Sequence, residues 1–153
     1  MLFFADSCFF IGLYYDKDNN HDAAEAIWHH LTDERMINGL NSLLVTDYIL
    51  IEVFQTLQNK IGFKKTKDVH ANLIEGCKLQ HISTAIIDDA IHQKLLPSCS
   101  HSTKQPKIGL VDGTSLIVMD EHDIPRIISF DDHFDSIPLI KRIYSVETIP
   151  SAH

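Results

Sequence analysis

Leu2-Phe3-Phe4-Ala5-Asp6-Ser7 is a run of four apolar residues stopped by an acid and a hydroxyl. A run this short, apolar on consecutive positions, fits a strand buried on both faces and ending at Asp6. Ser7 to Tyr15 continues with bulky residues as a short helix, and the polar stretch Asp16 to His21 is a loop. Asp22 then caps a second helix with Ala23, Ala24, Ile27, Trp28 and Leu31 at helical spacing. Leu43 to Thr46 repeats the strand pattern, and Asp47 caps a long helix to about Lys60 that Gly62 breaks.

The alternation continues along the chain. Thr66 is the expected cap of the next helix, Leu79 to Ser83 a strand, and Asp88 to Leu96 a helix. Pro97 to Lys107, rich in Pro and Ser, reads as the one long loop. Leu110 to Met119 is helical around Asp112, Arg126 to Phe130 is a strand ending at Asp131, and Arg142 to Val146 is a last strand. Strands alternating with helices imply right-handed crossovers. The expected class is α/β, a three-layer α/β/α arrangement around a mostly parallel sheet of four to five strands. Residues 1–148 form a single domain and 149–153 a frayed tail.

Composition narrows the function. The chain has 153 residues, 44% of them hydrophobic and 22% charged, which excludes collagen-like and disordered classes. Thirteen Lys and Arg against 21 Asp and Glu give −8, which argues against a basic nucleic-acid-coating surface, so any such contact is local. No apolar run reaches the roughly 18 residues of a membrane span, and Met1 to Leu13 lacks a basic leader, so a cytoplasmic protein is expected. Cys8, Cys77 and Cys99 form no CxxC pair and read as reduced thiols.

Four acids interrupt apolar elements: Asp6 after Leu2–Ala5, Glu52 alone between Tyr48 and Phe54, Asp112 between Leu110-Val111 and Leu116–Met119, and Asp131 after Ile127–Phe130. An ionised carboxylate in such surroundings loses several kcal/mol of solvation unless something compensates. No Lys or Arg lies at an obvious pairing distance in sequence, so a metal is a natural counter-charge. Asp6 and Asp131 fall at carboxyl ends of strands, where parallel sheets open their ligand crevices. Two such charges about 5 Å apart repel by roughly 3 kcal/mol at an effective dielectric near 20. Hard ions such as Mg²⁺ or Mn²⁺ prefer oxygen ligands and assist in-line displacement at phosphorus, whereas a set without Cys or His is not structural zinc. Singly, each acid could be an ordinary turn, cap or edge residue; together they point to one site.

At these residues the sequence resembles the PIN-domain family, and in size its VapC-type toxin branch. Phe4-Ala5-Asp6-Ser7 is similar to the family's first strand, acid and hydroxyl, with His21 and Ala24 following. Leu50-Ile51-Glu52-Val53, Leu110-Val111-Asp112 and Ile128-Ser129-Phe130-Asp131 with Phe134 resemble the second, third and fourth acid motifs. Gly113 stands where the family commonly has alanine, and Asp132 leaves the fourth register open by one. The resemblance implies a Mg²⁺- or Mn²⁺-dependent endoribonuclease, with Asp6, Glu52, Asp112 and Asp131 as metal-binding and catalytic acids. Ser7 and Ser129 would be supporting groups. It further implies an RNA substrate, an antitoxin partner and a homodimer. The competing reading is a PIN-like interaction module without catalysis, motivated by the net charge. Removing the four acids from the sum leaves −4, so the site itself accounts for half of that charge.

Lys60, Phe63, Lys64, Lys65 and Lys67 gather basic charge around one aromatic and are the candidate RNA contacts, or else a solvated helix connection. Phe9, Phe10, Leu13 and Tyr14 are either core or a groove for an antitoxin helix or second subunit. The ten histidines, His133 included, form no HxxxH or HExxH pattern and are expected on the surface. Glycines make no GxGxxG or P-loop, and Cys8 in place of a second acid argues against an aspartyl-phosphate phosphatase.

Overall fold

Short apolar runs form the strands. β1 (Phe3–Ala5) lies at the centre of a five-stranded sheet, flanked by β2 (Leu43–Thr46) and β4 (Arg126–Ile128), with β3 (Lys78–Gln80) and β5 (Lys141–Ile143) at the edges. The structure, a computed structural model, describes residues 1–92 and 108–151. All four pairings are parallel, with Phe3 opposite Leu43 and Phe4 opposite Ile127. β1 and β2 are buried throughout, whereas the edge strands carry exposed Lys78 and Lys141, which discourage further pairing.

The helices are α1 (Ser7–Tyr14), α2 (His21–Asp33), α3 (Asp47–Ile61), α4 (Phe63–Gly76), α5 (Thr84–His92) and α6 (Leu110–Glu121). α1 packs on α2 and α3, α3 on α4, and α5 on α6. From β1 the chain steps outward to β2 and β3, then returns to β4 and β5 on the other side of β1. Right-handed crossovers therefore place α1–α4 on one face and α5 with α6 on the other. This is the expected three-layer α/β/α architecture. Among the described residues no helix is long and apolar enough to cross a membrane.

Several boundaries differ from the sequence reading, each for a local reason. The cap of α3 is Thr46, whose hydroxyl accepts the Ile49 N–H at 3.2 Å; Asp47 instead reaches across to accept the Ile82 N–H at 3.0 Å. That contact draws the chain out of the sheet after Gln80, so β3 does not run on to Ser83. α2 begins at His21, with Asp22 inside its first turn. α4 starts at Phe63, directly after Gly62, whose φ of +84° reverses the chain between α3 and α4. Thr66 is thus inside the helix, buried, and donates its hydroxyl to the Gly62 carbonyl at 2.8 Å. α5 starts ahead of Asp88, where the Ser83 hydroxyl accepts the Ile86 N–H. Its expected continuation to Leu96, the Pro97 to Lys107 loop and Cys99 lie outside the described residues. β5 ends at Ile143, and the chain turns through a 3₁₀ segment at Val146–Thr148 closed by Ser145 and Thr148.

Phe3, Phe4, Phe9, Phe10 and Phe134 are fully buried with Ile27, Leu31, Leu43, Ile49, Leu57 and Met119. Phe9 and Phe10 are therefore core rather than groove, while Leu13 and Tyr14 pack against the core half-buried. Cys8 and Cys77 are free thiols.

Candidate metal centre

The chain changes direction across the sheet between β1 and β4, and the strand ends open into a crevice at such a switch point. Asp6 follows β1 and Asp131 follows β4, so this geometry alone sets two acids side by side. Glu52 projects from the second turn of α3, and Asp112 from the first turn of α6. Both helices start at that same end of the sheet, one from each covering layer.

Asp6 is the most enclosed of the four, with only 5% of its surface exposed. It caps α1, taking the Ser7 N–H at 2.8 Å on Oδ1. Its Oδ2 accepts the Ser129 hydroxyl at 2.7 Å and the Cys8 thiol at 3.3 Å. These donors compensate the lost hydration of a buried carboxylate. Ser129, wholly buried, also accepts the Asp131 N–H at 3.1 Å, so one hydroxyl joins the first and fourth acids. Cys8 adds a second tie by accepting the Phe130 N–H at 3.2 Å. Burial pushes its thiol up to about 12, helped by the Asp6 charge, which leaves it a protonated donor and not a nucleophile. The Ser7 hydroxyl donates to Glu52.

The electrostatics show how close the acids lie. Burial, then the charges of Asp6, Asp131 and Glu52, push the Asp112 carboxyl from 3.8 up to about 6, against the Gly109 N–H that lowers it. Glu52 is raised as well, by burial first and by Asp6 last, with the Ser7 hydrogen bond opposing. Among the described residues no lysine or arginine forms an ion pair with any of the four. Arg142 comes near, at 3.5 Å from the Ser129 carbonyl, but its guanidinium is held in a bidentate pair with Asp135 and stacks on Tyr144. Oxygen-rich and, among the described residues, without a paired lysine or arginine, the cluster has the donor chemistry that a hard divalent ion fits.

One group of potential ligand atoms adds a histidine to two of the expected acids. Asp112, Asp131 and His133 each offer a ligand atom within 4.8 Å of the others. Asp6 and Glu52 lie beside this trio, their carboxylates also accepting the Ser129 and Ser7 hydroxyls. His133 is partly exposed, as expected of the histidines, but it lies beside the acids. Asp131 caps a 3₁₀ turn, Asp132–Ser136, by accepting the His133 N–H at 2.9 Å, and this folds the imidazole back to 3.0 Å from the same oxygen. The Asp131-x-His133 spacing was the available signal. Cys8 was likewise read only as a thiol.

Of the candidate RNA contacts, Lys60 lies about 12 Å farther along α3 than Glu52 at 1.5 Å per residue, its ammonium 5.9 Å over the Tyr15 ring. Phe63 meets Phe54 edge-on and is largely exposed, as are Lys64, Lys65 and Lys67 on α4. This basic face therefore sits toward the opposite end of α3 from the acids.

Residues 3–139 match the PIN domain family. No curated protein matches the sequence. Among solved structures, VapC20 of Mycobacterium tuberculosis, a toxin that cleaves the sarcin–ricin loop, is similar in fold. Its TM-score is 0.67 over 88% of this chain and 93% of that one, at 18% identity. With the family match running from the first strand past the turn that carries His133, the chain belongs to the PIN domain family.

Proposed function

We propose that this protein is a Mg²⁺- or Mn²⁺-dependent endoribonuclease of the cytoplasm, the toxin of a toxin–antitoxin pair, working as a homodimer. The observation that carries the reading is the gathering of Asp6, Glu52, Asp112 and Asp131 at the sheet's switch point, where among the described residues no lysine or arginine forms an ion pair with them. The similarity in fold to a toxin that cleaves an RNA loop supports the substrate class.

Asp6, Glu52, Asp112 and Asp131 would hold the ion between them. A bound dication supplies Lewis acidity at the phosphate and a water of lowered pKa. Ser129 and Cys8 fix the Asp6 carboxylate and the Asp131 backbone in one frame, while Ser7 orients Glu52. At neutral pH Asp112 releases the proton its neighbours favour, which leaves its oxygens open as ligands. Lys60, Lys64, Lys65 and Lys67, with Phe63, would engage the RNA strand beyond the scissile phosphate, at low cost in specificity.

Incubation with structured RNA and Mn²⁺ tests this reading. Cleavage that disappears in EDTA and in Asp6→Asn supports the nuclease. Metal binding without cleavage of any RNA would favour the interaction module that the net charge of −8 suggests.

A further inference from the structure

We infer that His133 is an inner-sphere ligand, so that the centre is a mixed nitrogen and oxygen site that selects Mn²⁺ over Mg²⁺. The inference rests on the metal-dependent reading above and deepens it by naming the ion and the residue that chooses it. Three observations lead there. His133 is the one nitrogen donor in the set formed with Asp112 and Asp131, whose ligand atoms lie within 4.8 Å of one another. Its ring nitrogen Nδ1 is 3.0 Å from Asp131 Oδ1. That is the length of a hydrogen bond, and neighbouring ligands on an octahedral ion with bonds near 2.1 Å are also about 3.0 Å apart, so the two atoms are at a separation that an ion can share.

Asp131 Oδ1, moreover, does not need the ring. The His133 backbone N–H supplies its hydrogen bond at 2.9 Å, so Nδ1 can exchange its proton for an ion without leaving the carboxylate oxygen unpaired. The turn that carries the ring is held from both sides. Phe134, buried in the core, anchors the 3₁₀ turn, and the Ser136 hydroxyl donates to the His133 carbonyl at 2.8 Å. The side chains of His133 and Asp131 are each about one third exposed, at 37% and 34%, which leaves a solvent side for the waters that a Mn²⁺ or Mg²⁺ ion retains. Imidazole raises affinity for first-row transition ions, whereas Mg²⁺ gains little from it.

The test is electron paramagnetic resonance on the whole protein loaded with Mn²⁺, with Mn²⁺ and Mg²⁺ affinities from calorimetry. A directly coupled ¹⁴N is expected in the spin-echo modulation, lost in His133→Asn, together with a fall of about tenfold or more in Mn²⁺ affinity and little change for Mg²⁺. A merely orienting histidine would lower both affinities alike, by about 10–100-fold, and give no coupled nitrogen. Bound Mn²⁺ without ¹⁴N coupling, displaced in Asp112→Asn, would overturn the assignment of His133 and leave the nuclease reading standing. Absence of any Mn²⁺ binding would overturn both.

Discussion

Replacing Asp112 by asparagine should make the metal-free protein more stable. Its carboxyl is raised from 3.8 to about 6, first by burial and then by Asp6, Asp131 and Glu52. A shift of about two units at about 1.4 kcal/mol each sets a ceiling near 3 kcal/mol for the cost of ionising it. Asp112 is half-buried, and solvent screening reduces that cost to about 1–2 kcal/mol. Against it stands the loss of an acid from the first turn of α6, worth about 0.3–1 kcal/mol. The net gain is about 1 kcal/mol, or roughly 2–4 °C in Tm for a domain of this size. The pH dependence has a definite sign. The folded state holds this proton more tightly than the unfolded chain, so the wild type loses stability as pH rises from about 4 through about 6. Thermal denaturation in EDTA should show the variant ahead near pH 7.5 and the two proteins coinciding near pH 3.5. Saturating Mn²⁺ should reverse the order, since 100-fold over Kd adds about 2.7 kcal/mol to whichever protein binds it. A variant that melts at or below the wild type near pH 7.5 without metal would refute the account of a strained acidic cluster.

Ser129→Ala removes the 2.7 Å donor to Asp6 and the acceptor of the Asp131 N–H, and should cost about 2 kcal/mol in urea denaturation; an unchanged midpoint would contradict the bridging role. Lys64→Ala with Lys65→Ala, measured by anisotropy on single-stranded RNA in the Asp6→Asn background, should flatten the slope of log K against log salt by about 1.4. An unaltered slope removes α4 from the RNA path. Gly76→Ala would bring a Cβ to 2.7 Å from Leu40 Cδ1 and 2.8 Å from Leu40 Cβ, and should destabilise by about 1–3 kcal/mol despite the better helix former; a rise in Tm would show that Leu40 yields freely.

The strands and acids were legible because the same residues encode both. Phe3-Phe4-Ala5 must be buried on two faces, and the acid that stops it then lies at the sheet's open end. Glu52 and Asp112 stood out as lone charges on apolar helices for a similar reason. Boundaries were less legible where a side chain bonded far from its own segment. Asp47 looked like a cap, yet its partner is Ile82, and Thr66 looked like a helix start, yet its hydroxyl returns to Gly62 inside α4. His133 escaped because its proximity to Asp112 depends on a 3₁₀ turn and on the docking of two helices, and neither leaves a periodic trace. The same holds for Cys8, whose partners Ser129 and Phe130 lie at the far end of the chain.

The hydrogen bond between Ser129 and Asp6 joins residues 123 positions apart, each just past the end of one of two adjacent strands. A ribosome adding about 5–20 residues per second needs about 6–25 s to make the intervening chain. Through that interval the nascent polypeptide carries β1 without its β4 neighbour and Asp6 without Asp131, and Asp112 joins only near its end. Whatever chemistry the acids perform together is thus withheld until synthesis has passed Asp131 and that segment has cleared the exit tunnel. A fold that draws its first and penultimate strands together completes the acid cluster only when nearly all of the chain has been made.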